Sequence, residues 1–122
     1  MLNGGILFVD DDADLVAMAK SALSSHGFTI RVAASADEAI GIVNSGFSPD
    51  ILCTDIVMPG GSGVNLARDL RKLIPDLKVL LITGKDEQVL PDNMRDGFDV
   101  LGKPYLFSTL ARRLRAMVPP QD

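Results

Sequence analysis

A chain of 122 residues with 47% hydrophobic and 23% charged side chains has the size and balance of one globular domain, expected to span 1–122, not of a disordered segment. Twelve Lys plus Arg against sixteen Asp plus Glu leave a net charge of −4, which argues against direct nucleic-acid binding. A single Cys excludes an intrachain disulfide, one His and no Trp leave few catalytic schemes, and no apolar run approaches the ~20 residues of a membrane helix. Without a basic n-region ahead of its aspartates, the chain reads as cytoplasmic, with no membrane insertion.

Residues 6–9 are wholly apolar and predict a strand covered on both faces. Leu15, Ala19, Ala22 and Leu23 then form a helical stripe, closed by Gly27. Residues 28–32 alternate apolar with polar, as in a half-exposed edge strand. Ser35-Ala36-Asp37-Glu38 reads as a capping box opening a helix through Ala39, Ile40 and Val43. Residues 51–53 predict a second covered strand, and Leu66, Leu70, Leu73 and Ile74 a helix stopped by Pro75. Residues 79–82 predict a third covered strand. Segment 86–97 has a helix's place in the rhythm, but Pro91 requires that helix to start near it or break there. Residues 98–101 are short and mixed, which suits the other edge. Phe107, Leu110, Ala111, Leu114 and Met117 predict the last helix, ended by Pro119-Pro120. Strands alternating with helices predict an α/β fold: a doubly wound, five-stranded parallel sheet in the order 2-1-3-4-5, with helices on both faces.

In such a sheet the site lies outside the carboxyl ends of the strands. Those ends carry Asp10-Asp11-Asp12, then Asp55, then Thr83-Gly84, then Lys103-Pro104. Crowded carboxylates repel one another unless a cation joins them or protons are taken up. Oxygen donors with no second His or Cys nearby favour a hard divalent ion such as Mg²⁺. A lysine and a hydroxyl facing the same point suit the remaining oxygens of a phosphoryl group, with one carboxylate as nucleophile. Each residue taken singly has a plain structural explanation. Asp12 is read as a helix N-cap, Asp55 as a possible strand end, and Thr83-Gly84 and Lys103-Pro104 as ordinary junctions. Their coincidence at four strand ends of one small domain favours the site.

Residues 6–12, 55–63, 82–84 and 102–104, in that order, closely resemble the response-regulator receiver domain, and the resemblance covers essentially the whole chain. It implies the flavodoxin-like, CheY-like fold and a role for each matching residue. Asp55 would be the phosphoacceptor. Asp11 would bind Mg²⁺ (or Mn²⁺) directly, Asp10 largely through water, and the backbone carbonyl of Val57 would complete the protein's share of the shell. Thr83 and Lys103 would contact the phosphoryl group, and the Lys103-Pro104 bond would be cis. The resemblance further implies transfer from the phosphohistidine of a histidine kinase or a histidine phosphotransfer domain, a conformational signal to a downstream protein, and slow hydrolysis of the acyl phosphate. Pro59-Gly60-Gly61-Ser62-Gly63 and Lys103-Pro104-Tyr105 resemble receivers at the C-terminus of hybrid histidine kinases; a free-standing regulator is the other option, with no DNA-binding domain in these residues.

Two departures concern the readout. The family usually has Phe or Tyr at the position of Val100, a ring that swings inward with the threonine; Phe98 lies on the same strand face. Thr83 and Lys103 are 20 positions apart, slightly fewer than usual. A degenerate receiver acting only through protein contacts is the alternative, and a phosphohydrolase using Asp55 on free substrates is a third. The intact set Asp10, Asp11, Asp55, Thr83 and Lys103 opposes the second, and the absence of room for a cap opposes the third. His26 reads as a helix-end residue, Cys53 as a small buried hydrophobe, and Arg112, Arg113 and Arg115 as a solvated helix face.

Overall fold

The computed structural model describes residues 5–58, 61–84 and 98–118. Five parallel strands form the main sheet: β1 (Gly5–Val9), β2 (Thr29–Ala33), β3 (Ile51–Asp55), β6 (Lys78–Thr83) and β7 (Asp99–Gly102). Their order is β2-β1-β3-β6-β7, the 2-1-3-4-5 arrangement expected of the five long strands. Between β3 and β6 a short antiparallel ladder, β4 (Val57–Met58) with β5 (Gly61–Ser62), leads into helix α3 (Gly63–Leu73). Two-residue strands are too short to leave a periodic signal, so this ladder was not legible in the sequence. The other described helices are α1 (Ala13–Ser25), α2 (Ala36–Asn44) and α4 (Phe107–Met117). The expected helix around Pro91 lies outside the described residues.

Alternate residues of each covered strand feed opposite cores. Leu7 and Val9 of β1, Leu52 of β3, and Val79 and Leu81 of β6 pack with Leu66, Ala67 and Leu70 of α3 and with Ala39 of α2. Ile6, Phe8, Ile51, Cys53, Leu80 and Ile82 point the other way, onto Ala19 and Leu23 of α1 and Leu110, Ala111 and Leu114 of α4. A strand whose two faces are both covered gains nothing from alternation, so these strands read as unbroken apolar runs.

The caps follow the side chains present. Asp12 Oδ1 accepts from the amides of Asp14 and Leu15, each at 3.1 Å, which opens α1 as expected. Ser35 Oγ accepts from the Glu38 amide at 3.1 Å, and Ser62 Oγ from Val64 at 3.1 Å. Gly27, at φ 92°, turns the chain out of α1 in a conformation that L side chains resist. Leu73 departs from the expected stripe. It is the last residue of α3 and is 57% exposed, while Ile74 and the fully buried Leu77 take up the core contact beyond it.

The arginine stripe of α4 is only partly a solvated face. Arg113 donates to the Val100 carbonyl at 3.2 Å. Arg115 donates to the His26 carbonyl at 2.6 Å and lies over the Phe28 ring, 5.4 Å from its centre. Both guanidiniums tie α4 to neighbouring elements, and His26 is the C-cap of α1.

Candidate active site at the strand ends

The carboxyl ends of β1, β3, β6 and β7 bring the acidic residues and the lysine together. Asp10 follows directly on β1; it is buried, its amide donates to the Ala33 carbonyl at 3.1 Å, and its Oδ1 accepts from the Asp12 amide at 2.9 Å. Asp55 ends β3, also buried, with Ile82 as its cross-strand partner on β6. Asp11 is exposed at the mouth. One carboxylate oxygen from each of Asp10, Asp11 and Asp55 lies within 4.8 Å of the other two. The Lys103 ammonium stands 3.3 Å from Asp55 Oδ2 and 3.4 Å from Asp10 Oδ2. Burial acting alone would lower the Lys103 pKa, but the Asp55 and Asp10 carboxylates outweigh it and hold the ammonium above its ordinary value.

Among the described residues three carboxylates stand against one ammonium, an excess of about two negative charges in a small, half-buried space. All the donors are oxygens, so the set fits a hard divalent cation and offers nothing to a soft one.

Thr83 closes β6, half-buried, with Gly102 as its cross-strand partner, and its carbonyl accepts from the Lys103 amide at 2.7 Å. That bond fixes where the lysine leaves the sheet. The Lys103-Pro104 peptide is cis, as the resemblance implied. Val57 lies two residues beyond Asp55 in β4, its side chain 59% exposed. Val100 is half-buried on the α2–α3 side of β7. Phe98 packs into that same core, buried beneath the Arg71 guanidinium, which sits 4.6 Å from its ring centre and donates to the Leu77 carbonyl at 2.9 Å. Cys53 is fully buried, and burial, reinforced by Asp10 and Asp55, pushes its thiol pKa up, so it stays a neutral apolar side chain.

Two contributors escaped the sequence reading. Gly63 opens α3 directly behind the acidic cluster. A Cβ there would run into the backbone carbonyl oxygen of Asp55, and the Gly63 amide donates to the Ile56 carbonyl at 2.7 Å. Glycine is a poor helix former, and its place at a helix start was the available signal of a close approach. Gly63→Ala is therefore expected to displace the β3 end and cost about 1–3 kcal/mol, read as a lowered urea midpoint. Gly41→Ala, with open space around the added carbon in the middle of α2, is the contrasting control: it should raise the midpoint, by about 0.5–1 kcal/mol of helix propensity.

Tyr105 is the second. Its ring meets Phe107 edge-on at 5.9 Å, and burial, followed by Cys53, Asp10 and Asp55, raises its hydroxyl pKa. With Asp12, Leu15, Met18, Gly84, Lys103, Pro104 and Phe107 it lines a groove of about 550 Å³ that opens beside the lysine.

Residues 6–115 match the sequence model of the response regulator receiver domain. The chain belongs to that family. This receiver domain is 36% identical, over 96% of its length, to the sensor kinase CckA of Brucella abortus (strain 2308), and spans 13% of that protein. The crystal structure of the receiver domain from the hybrid histidine kinase CckA superposes with a TM-score of 0.78 at 30% identity, covering 95% of this chain and 100% of the other. Response regulator TrrA of Thermotoga maritima, solved in complex with Mg²⁺-BeF, superposes with a TM-score of 0.81 at 28% identity, covering 94% and 99%. The domain is thus a receiver of two-component signalling. None of its described helices is long and apolar enough to cross a membrane.

Proposed function

We propose that residues 1–122 act as one cytoplasmic receiver that accepts a phosphoryl group on Asp55 from the phosphohistidine of a histidine kinase or a histidine phosphotransfer domain. The observation that carries this reading is the contact of one ammonium, that of Lys103, with both buried carboxylates, beside a third carboxylate at the mouth. A purely structural ion pair needs one carboxylate; two on one lysine with a third beside them keep, among the described residues, an excess of negative charge that a cation would balance.

In this reading Asp10, Asp11 and Asp55, with the Val57 carbonyl, hold Mg²⁺ or Mn²⁺. When bound there, the ion would supply positive charge to the phosphoryl oxygens during in-line transfer. An Asp55 oxygen attacks phosphorus, the P–N bond to the donor imidazole breaks, and an acyl phosphate forms. Lys103 leaves its contact with Asp55 Oδ2 to pair with a phosphoryl oxygen, and the Thr83 hydroxyl, near the same edge, hydrogen-bonds another. The superposition on a regulator carrying Mg²⁺-BeF supports this reading, because the same backbone accommodates an ion and a fluoride complex in that protein. The groove running from Lys103 past Tyr105 to Leu15 and Met18 is the surface on which we place the donor. Val100 in place of an aromatic ring makes a ring-swing readout unavailable at that position.

Incubation with acetyl phosphate and Mg²⁺, followed by intact mass measurement, tests the proposal. One phosphoryl group per chain is expected, lost when EDTA replaces Mg²⁺. An unchanged mass with acetyl phosphate and with a phosphorylated histidine phosphotransfer domain would favour a receiver that works by protein contact alone.

A further inference from the structure

About one helix length from the acidic cluster, at the far end of the 13-residue α1, lies a smaller cavity of about 190 Å³ lined by His26, Ser108, Ala111, Arg112 and Arg115. Ser108, Arg112 and Arg115 recur at four and then three positions along α4 and share one face of that helix. Arg115 is held in place by the His26 carbonyl and the Phe28 ring. That hydrogen bond uses one of its five N–H groups and covers a carbonyl at the negative end of α1, which would otherwise repel an anion. Arg112 is exposed and, among the described residues, forms no ion pair or hydrogen bond. Among the described residues neither arginine meets a carboxylate, although the chain carries a net charge of −4. The cavity is therefore lined by two arginines, a serine and a histidine, with no acidic residue among its described lining.

We propose that this cavity binds a small oxyanion of the phosphate type, with Arg112 and Arg115 offering N–H forks to its oxygens and Ser108 a hydroxyl. Planar guanidinium pairs match phosphate geometry better than they match a spherical halide. The volume suits a single phosphoryl group and falls below that of pockets for drug-sized ligands. The group is either free phosphate or a phosphate ester carried by another molecule.

The test is a ¹H–¹⁵N NMR titration of the whole chain in EDTA, with inorganic phosphate and with O-phosphoserine, against sodium chloride at matched ionic strength. The amides of Ser108 and Ala111 and the Nε–H of Arg115 are expected to shift saturably with the phosphates and not with chloride. Arg112→Gln, a change at an exposed residue with no ion pair or hydrogen bond among the described residues, is expected to weaken that binding about tenfold or more with the rest of the spectrum unchanged. Arg115→Lys, which keeps the charge and loses the fork, should weaken it as well. Tighter binding of O-phosphoserine would assign the site to a phosphate ester, and equal binding to free phosphate. Non-saturating shifts, shifts matched by chloride, or shifts untouched by Arg112→Gln would overturn the proposal.

Discussion

Asp55→Asn is expected to reduce phosphoryl incorporation from one group per chain to none while the protein stays folded. The amide has nearly the shape of the carboxylate, so the β3 end and its packing against Gly63 survive, but a neutral amide is no nucleophile at phosphorus. The charge balance explains why folding should tolerate the change. At an effective dielectric of 20, the Lys103 contact at 3.3 Å is worth about 5 kcal/mol to Asp55, and each carboxylate repulsion, across 4.8 Å or less, costs about 3.5 kcal/mol or more. Asp11 is exposed, so its share is screened, and the terms nearly cancel. The metal-free variant should therefore match or exceed wild type in stability, within about 1 kcal/mol. Urea unfolding in EDTA reads this directly. A loss of several kcal/mol would mean that Asp55 serves the fold more than the chemistry.

Lys103→Met should have the opposite signature. It removes the only ammonium in contact with two buried carboxylates among the described residues, which leaves both without their shared counter-charge. Breaking a fully buried pair costs about 3–5 kcal/mol; since the lysine side chain is 32% exposed, about 1–2 kcal/mol is expected here. Divalent cation should restore much of the loss by supplying the missing positive charge, so Mg²⁺ should raise the thermal midpoint of the variant more than that of wild type. Phosphorylation by acetyl phosphate should slow by roughly 10²–10³, the usual effect of removing one preorganised charge from a transferring group. The pH dependence has a definite sign. The folded-state pKa of Lys103 lies above its ordinary 10.5, so its contribution is fully present below that value and is lost as pH climbs past it. The stability gap between wild type and Lys103→Met should hold through neutral pH and close in the alkaline range.

The parts of this domain that were legible in the sequence are those decided by a repeated physical rule. Unbroken apolar runs at 6–9, 51–53 and 79–82 mark strands covered on both faces, and the structure divides their residues between two cores. Asp12 and Ser35 announce helix starts because their oxygens satisfy amides the helix leaves open. Once the strand order was set, Asp10, Asp55 and Lys103 had to meet at one edge, and they do. What stayed hidden depends on single tertiary contacts. Nothing local tells that the Arg115 guanidinium reaches His26, 89 residues away, or that Gly63 packs against the Asp55 carbonyl. Leu73 obeys its helical period yet ends exposed, because a helix can run past the surface it covers.

Chemical trapping decides whether Asp55 is the phosphorylated residue. The protein is treated with acetyl phosphate and Mg²⁺, reduced with borohydride to convert an acyl phosphate to the alcohol, digested, and sequenced by mass spectrometry. Homoserine is expected at position 55, with Asp10 and Asp11 unmodified. Homoserine at either of those two positions, or at none under conditions that label an active receiver alongside, would contradict the assignment of Asp55.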